Sequence, residues 1–369
     1  MKRSYLRLLA PLLALMLAAT ACGGGDDPDT GGDTGTETGT ETETESESPT
    51  ETETDSAEAT RVGLVFDIGG RGDQSFNDAA AAGLDQAKDE FNIESRELEP
   101  EGGGENREEL LRLLAEEGFP LVFAVGFLFS DSIAAIAPNF PETTFGLIDS
   151  VVEEPNVASL VFAEEQGSFL VGAIAAMESE SGKVGFIGGV EIELIQKFEA
   201  GFVAGAKHVN PDIEIDVKYI TQPPDFSGFN DPAKGKEIAL AQFNDGADVI
   251  YHAAGGSGSG LFEAAREVSE QSGEKVWAIG VDSDQYQTAD PSVQEYILTS
   301  MLKRVDVAVY ETIKSFIEGE DVSGVRVFDL SVDGVGYSKS GGFVDEYVDD
   351  VDDLKQQIID GEIEVPTTP

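Results

Sequence analysis

The chain has 369 residues, of which 72 are acidic and 23 are basic, and its formal charge is −49. This length predicts two domains or one two-lobed domain, and the negative charge disfavours nucleic acid as a partner because a phosphate backbone would repel it. One cysteine and two histidines leave no intramolecular disulfide and no cysteine or histidine cluster for a metal. We therefore expect neither a metal nor a cofactor.

The first predicted element is a secretory signal peptide over residues 1–21. Basic residues precede an apolar run at 8–18, which is too short to span a bilayer. Small residues then lead directly to Cys22, the only cysteine. This arrangement resembles the cleavage site of bacterial lipoproteins, in which the cysteine is acylated. We therefore expect Cys22 to anchor the protein to the extracytoplasmic face of the cell membrane.

The segment that follows, up to residue 60, is rich in Asp, Glu, Thr, Ser and Gly and contains no Lys, Arg or aromatic residue. Such a composition cannot bury enough apolar area to fold, which predicts a disordered acidic tether over 22–60 that begins at the acylated cysteine. Residues 61–369 carry 59 acidic and 20 basic side chains, a formal charge of −39. This excess is typical of proteins that work in high salt, where screening weakens the repulsion.

From residue 61 onward, β-rich runs alternate with amphipathic helical patterns, which predicts parallel sheets. The first set has strands at 61–66, 121–125, 144–148 and 157–162 and helices at 75–91, 107–117 and 130–137. The second set begins at 166–177 and has strands at 183–187, 213–220, 248–251 and 275–281 and helices at 194–209, 232–244 and 261–269. A strand at 297–301, a helix at 305–317 and a short strand at 325–330 follow.

Two such sets predict an α/β protein with two doubly wound lobes. Lobe 1 is expected at about 61–165 plus 303–320, and lobe 2 at about 166–302 plus 321–369. Open sheets of this kind bind ligands at the carboxyl ends of their strands. The expected site is therefore the cleft between the lobes.

In lobe 1, polar and aromatic residues follow the predicted strands. Asp67 follows the first strand, and a glycine-rich turn leads from it to Ser75, Phe76 and Asn77. Ser75 or Asn77 would cap the next helix, while core packing is the alternative role for Phe76. Asp131 lies at a helix start after a later strand, where capping that helix is the alternative role.

In lobe 2, the corresponding positions after strands are occupied by aromatic, glycine and acidic residues. Phe229 precedes a helix that opens with a proline, Gly255 and Gly256 begin a glycine-rich loop, and Asp282 ends a strand. All of these residues lie where the sheets would present a ligand cleft.

Several strings make the sequence recognisable, namely Ser75-Phe76-Asn77 after Asp67, Gly126-Phe127 with Asp131, the segment 198–205, Phe229-Asn230-Asp231-Pro232, Gly280-Val281-Asp282 and Ser300-Met301-Leu302-Lys303-Arg304. Together they resemble the basic membrane protein family of lipoproteins. Members of that family are substrate-binding proteins of ABC transporters, and the best understood of them bind purine nucleosides. The resemblance covers about residues 61–366 and implies the two-lobed type I periplasmic-binding-protein fold.

For the base, the resemblance implies that Phe76 and Phe229 stack on its two faces. Asp67 and Asn77 would contact the edges of the base or the sugar. The long loop at 221–227 makes Phe226 a rival to Phe229 for the stacking role.

For the sugar, the resemblance implies a contact from Asp131, while Asp282 and Lys303 would hold the ribose hydroxyls. Gly255 or Gly256 would allow the backbone to approach the ligand closely. Three carboxylates around the ligand would repel a phosphate, so a neutral nucleoside fits better than a nucleotide.

The resemblance also implies that the nucleoside is delivered to the permease and ATPase subunits of a transporter. Two other functions stay open, namely a ligand-sensing receptor of the same fold and an enzyme that processes nucleosides. An enzyme has little support, because His252 lacks a nucleophile at motif spacing and His208 lies on a helix face expected to be solvated.

Overall fold

The computed structural model describes residues 59–369 and arranges their strands in two six-stranded sheets. The first sheet contains, side by side, β11 (Gly324–Phe328), β5 (Val157–Phe162), β4 (Thr144–Ile148), β3 (Leu121–Ala124), β1 (Thr60–Val65) and β2 (Ile93–Leu98). The second contains β12 (Val335–Tyr337), β10 (Ile297–Lys303), β9 (Trp277–Asp282), β8 (Val249–Ala253), β6 (Lys183–Val190) and β7 (Glu214–Thr221). Between neighbouring strands of the described chain, only the β10–β12 pairing is antiparallel.

Helices join the strands, as the alternating pattern predicts. They are α1 (Phe76–Glu90), α2 (Arg107–Glu116), α3 (Ser130–Ile136), α4 (Glu164–Glu178), α5 (Glu193–Val209), α6 (Pro232–Asn244), α7 (Ser259–Ser272), α8 (Gln285–Thr288), α9 (Val305–Ile317) and α10 (Val348–Ile359). Over residues 59–369, none of these helices combines the length and apolarity that a bilayer span requires. The predicted signal peptide, Cys22 and nearly all of the predicted tether lie outside the described residues.

Inner strands are buried because helices cover both faces of each sheet. All four residues of β3 are buried, as expected for a central strand of a parallel sheet. In lobe 2, α4 and α5 pack with their backbones close together, because a Cβ at Gly172, Gly201 or Gly205 would collide with a carbonyl of the facing helix. This contact explains the glycines of the segment 198–205 and places the first turns of α5 beside the cleft.

The chain passes between the two sheets three times, after β5, after β10 and after β11. Helix α9 packs against α1 of lobe 1, where Gly83 lets the two backbones approach. Strand β11 also belongs to the first sheet, so the assignment of all of 321–369 to lobe 2 is wrong for these residues. The reason is a parallel ladder between β11 and β5, in which Phe328 lies opposite Phe162 and their rings stack at 5.2 Å.

Candidate functional site

A cavity lies between the lobes, at the carboxyl ends of strands from both sheets. About 620 Å³ of it is free of protein atoms, counting the part open to solvent. Seven of the nine residues expected to bind ligand line this cavity, namely Asp67, Phe76, Asn77, Phe229, Gly255, Asp282 and Lys303. The structure therefore brings together residues that are more than 230 positions apart in the sequence.

Asp131 and Gly256 are the two expected residues that do not line the cavity. Asp131 is exposed in the first turn of α3, away from the cavity wall, and its expected contact with the sugar stays a prediction. A carboxylate in a first turn favours the helix through its interaction with the helix dipole, which is sufficient reason for an acid there. Gly256 instead faces the rim, where a Cβ would lie 3.4 Å from Asn230 Oδ1.

The aromatic walls come from both lobes. Phe76 begins α1 in lobe 1, and Phe229 lies before α6 in lobe 2, where its ring packs on the backbone of Gly189. Phe226 does not line the cavity, and its ring makes an edge-to-face contact with Phe127 at 6.0 Å. The structure thus favours Phe229 over Phe226 as the lobe 2 stacking residue.

Asp67 is held in place by a partly buried ion pair that sequence reasoning did not foresee. Arg107 Nη2 donates to Asp67 Oδ1 at 3.1 Å, and the backbone N–H of Ile68 donates to the same oxygen at 2.8 Å. Burial raises the pKa of Asp67 to about 6, while Arg107 opposes that rise. Gly126, with a φ of +111°, makes room for the carboxylate, because a Cβ there would collide with Asp67 Oδ2.

Asn77 is buried, and its amide holds the β1–α1 loop together. Its Oδ1 accepts from the backbone N–H of Asp67 at 2.9 Å, and its Nδ2 donates to Asp73 Oδ2 at 3.0 Å. Asn77 therefore positions Asp67, and its expected contact with the base or the sugar stays a prediction.

Asp73, rather than Ser75 or Asn77, caps α1. Its carboxylate accepts from the backbone N–H groups of Ser75 at 2.9 Å, Asn77 at 2.9 Å and Asp78 at 3.1 Å. Neither Ser75 nor Asn77 makes a side-chain capping bond to α1, so that expectation was wrong. The hydroxyl of Ser75 points across the cleft to lobe 2.

Lys303 is buried, with 2% of its side chain exposed, and its main partner is Asp149. Lys303 Nζ donates to Asp149 Oδ2 at 2.6 Å and lies 3.8 Å from Glu164 Oε1. Burial opposes the charge on Lys303, but these two carboxylates outweigh it and raise the pKa of the lysine. The same ammonium lies 4.8 Å from the ring centre of Phe76.

Asp149 is a cavity residue that the sequence reading missed. It follows β4 directly, and Asp67 likewise lies just beyond the end of β1, so its place after a strand was the available signal. Its φ is +68°, and its Oδ1 is buried without a hydrogen-bond partner. A buried carboxylate oxygen without a donor, in a cavity wall, is suited to accept a hydrogen bond from a ligand.

Asp282 ends β9 and is 7% exposed. Its Oδ2 accepts from Ser75 Oγ of lobe 1 at 2.6 Å, which leaves Oδ1 for a ligand. Burial raises the pKa of Asp282 to about 6, against the opposing effects of Lys303 and Ser75. The cavity wall therefore contains four carboxylates, Asp67, Asp73, Asp149 and Asp282, and one ammonium, Lys303.

The two histidines do not line the cavity. His252 is fully buried behind it, with Nε2 3.0 Å from Gln285 Oε1, and burial lowers its pKa to about 4. His208 is exposed on α5. In the part of the chain that the structure describes, no cluster of His, Cys, Asp and Glu has an arrangement suited to a metal ion.

Residues 60–369 match the family model described as ABC transporter substrate-binding protein, PnrA-like. The chain is 34% identical to the "ABC transporter nucleoside-binding protein BmpA" of Lactococcus lactis subsp. cremoris, over 83% of this chain and 89% of that protein. It is also 34% identical to an uncharacterized lipoprotein of Pyrococcus abyssi, over 76% of this chain and 69% of that protein.

The fold has a solved counterpart in an ABC transporter solute-binding protein from Aeropyrum pernix K1. The two chains are 32% identical, the TM-score is 0.72, and the match covers 83% of this chain and 93% of the other. The predicted α/β architecture of two parallel-sheet lobes is confirmed by the sheets themselves and by this similarity.

Proposed function

We propose that this chain, which belongs to the family of PnrA-like ABC transporter substrate-binding proteins, is a lipid-anchored protein that captures nucleosides outside the cytoplasm. The type I periplasmic-binding fold closes two lobes over the ligand, so that binding needs no covalent chemistry. The loaded protein then delivers the nucleoside to the permease of an ABC transporter. The name of the Lactococcus relative supports the nucleoside.

The observation that carries the proposal is a pair of aromatic walls, one from each lobe, bordered by hydrogen-bond acceptors. Phe76 and Phe229 offer flat apolar surfaces on which a base can stack, and stacking is worth about 1–3 kcal/mol per base in nucleic-acid systems. Asp67 lies on the lobe 1 side and accepts from donors on the edge of the base. A purine presents the larger surface to two such rings.

The ribose is bound by groups at the carboxyl ends of β4 and β9. Asp282 Oδ1 accepts from the 2′- and 3′-hydroxyls, since its Oδ2 is occupied by Ser75. Asp149 Oδ1, which has no protein partner, accepts a further hydrogen bond from the ligand. Lys303 remains paired with Asp149 and compensates part of the negative charge of the cavity wall.

A nucleotide fits this cavity less well than a nucleoside. Four carboxylates and one ammonium give the wall a net negative charge, which repels a phosphate group at short range. The ligand is therefore neutral or positively charged and rich in hydrogen-bond donors.

The membrane anchor is proposed from the sequence of the leader and supported by the Pyrococcus relative, which is named as a lipoprotein. Small residues before Cys22 are suited to signal cleavage and acylation of that cysteine. The lipid keeps the binding protein near its permease and ATPase partners.

The test begins with ligand identification by mass spectrometry of gently purified full chain carrying Cys22→Ser. We expect a purine nucleoside, and recovery of a sugar or an amino acid would overturn the ligand assignment. Calorimetric titration should then show binding of inosine or adenosine but not of adenosine monophosphate. Loss of nucleoside uptake in cells lacking the protein would separate transport from ligand sensing, and an unchanged nucleoside after incubation would exclude processing.

A further inference from the structure

Hydrogen bonds join the lobes at one rim of the cavity. On the lobe 1 side they involve Gln74 and Ser75, and on the lobe 2 side the segment from Asp282, the last residue of β9, to Thr288, the last residue of α8. Ser75 Oγ donates to Asp282 Oδ2 at 2.6 Å, and Ser283 Oγ donates to the carbonyl of Ser75 at 3.0 Å. The carbonyl of Gln74 accepts from Gln285 Nε2 at 3.1 Å and from Thr288 Oγ1 at 3.4 Å.

Most of these contacts lie outside the ligand-lining surface. Among the residues involved, Asp282 lines the cavity, whereas Gln74, Ser75, Ser283, Gln285 and Thr288 do not. The hydrogen bonds connect lobe 1 to lobe 2, so a movement that separates the lobes at this rim would break them. Contacts that exist in only one of two conformations shift the equilibrium toward that conformation.

The backbone on both sides of the rim is in an unusual conformation. Gln74 has a φ of +56° and Asp282 a φ of +63°, a region that residues other than glycine adopt rarely. The N–H of Ser283 donates to the carbonyl of Val281 at 2.8 Å, which closes a three-residue turn around Asp282. Strained residues persist where surrounding contacts hold them, and they concentrate at binding and switch regions.

Gln285 is buried, with 1% exposed, and two contacts of its side-chain oxygen within lobe 2 fix the orientation of its amide. Its Oε1 accepts from the backbone N–H of Val281 at 2.9 Å and faces His252 Nε2 at 3.0 Å. Because Gln285 Oε1 accepts both hydrogen bonds, Gln285 Nε2 is left to face Gln74. This arrangement also requires the imidazole of His252 to carry its hydrogen on its own Nε2. Burial lowers the pKa of His252 and so keeps the imidazole neutral.

We propose that these hydrogen bonds form an interlobe clasp, defined by Gln74–Ser75 and Asp282–Thr288, that stabilises the closed conformation without ligand. Gln285 is its positioning residue, while Ser283 and Thr288 complete it. The ligand-free protein therefore populates the closed form, and a bound ligand leaves only after the clasp opens. This second consequence rests on the proposed function.

The experiment measures the distance between the lobes without ligand. The full chain with Cys22→Ser receives spin labels at Asp89→Cys on α1 and Glu270→Cys on α7, both exposed positions. The clasp variant Ser283→Ala with Thr288→Val removes two interlobe donors that are outside the core. The matched control is Ser181→Ala, because Ser181 Oγ donates to the carbonyl of Lys183 within lobe 2 and outside the clasp.

Double electron–electron resonance should show a short-distance population in the unliganded parent and in the control. In the clasp variant the ratio of closed to open molecules should fall about fivefold to tenfold, as expected when two modest hydrogen bonds are lost. An identical distance distribution in parent and clasp variant would refute the clasp. A long-distance population alone in the unliganded parent would also refute it.

A second measurement follows inosine release by stopped flow. The dissociation rate should rise by about the same factor in the clasp variant, because the lost hydrogen bonds stabilise the closed complex. It should stay unchanged in Ser181→Ala. An unchanged dissociation rate would contradict the role of the clasp in release. If the parent binds no nucleoside, the proposed function fails, while the ligand-free distances still decide whether the clasp exists.

Discussion

Replacing Asp282 with alanine should weaken nucleoside binding more than binding of the free base. Asp282 is 7% exposed, and its Oδ1 is the acceptor that we assign to the ribose hydroxyls. Loss of a hydrogen bond to a charged group is worth about 1.5–3 kcal/mol, which corresponds to roughly a 10-fold to 150-fold loss of affinity. A free base has no diol, so its affinity should not fall by this amount.

Two neighbouring contacts determine how much further affinity is lost in Asp282→Ala. Lys303 does not lose its partner, because its close ion pair is with Asp149 at 2.6 Å, so the larger penalty for an unpaired buried charge does not arise. Ser75 Oγ loses its acceptor, which loosens the clasp and should weaken both ligands by about 1 kcal/mol. The difference between nucleoside and base isolates the ribose contribution.

The assay is calorimetric titration of parent, Asp282→Ala and the control Asp290→Ala with inosine and hypoxanthine, provided that the parent binds both. Asp290 is the matched control because it is exposed, its Oδ1 accepts from the backbone N–H of Ser292 within lobe 2, and it lies outside both the clasp and the cavity wall. Equal losses for inosine and hypoxanthine in Asp282→Ala would show that this carboxylate does not bind the ribose.

Four further predictions concern stacking, pH, the anchor and salt. Phe76→Ala should weaken nucleoside and base equally, by about 1–3 kcal/mol, whereas Phe226→Ala should change neither in the same titrations; unequal losses for the two ligands in Phe76→Ala would contradict stacking. Burial raises the pKa of both Asp67 and Asp282 to about 6, and a donor ligand favours their ionised forms. Nucleoside affinity should therefore be constant above about pH 7 and fall as the pH drops through about 6, and a flat calorimetric profile from pH 8 to pH 5 would contradict both assignments. Cys22→Ser should release the protein from membranes in a fractionation experiment without affecting binding, and a variant that still sediments with membranes after a high-salt wash would exclude the lipid anchor. With a formal charge of −39 on residues 61–369, the melting temperature should rise from dilute buffer to about 1 M salt as screening weakens repulsion, and an unchanged melting temperature would count against that explanation.

The sequence by itself determined the two-lobed α/β architecture and most of the cavity wall. Helical and strand periodicity depends on residues close together in the chain, so the alternating pattern could be read without tertiary information. The rule that ligands bind at the carboxyl ends of parallel strands then located Asp67, Phe76 and Asp282. The same rule would have found Asp149, which follows β4 directly.

Only the tertiary structure decided how these residues are paired. Lys303 and Asp149 are 154 positions apart, and no local pattern shows that they form a buried ion pair. The sheet that β11 joins and the outward position of Asp131 likewise depend on packing between distant segments. A periodic pattern shows that a side chain faces the core or a cleft, but its partner depends on distances that exist only after the lobes have folded and met.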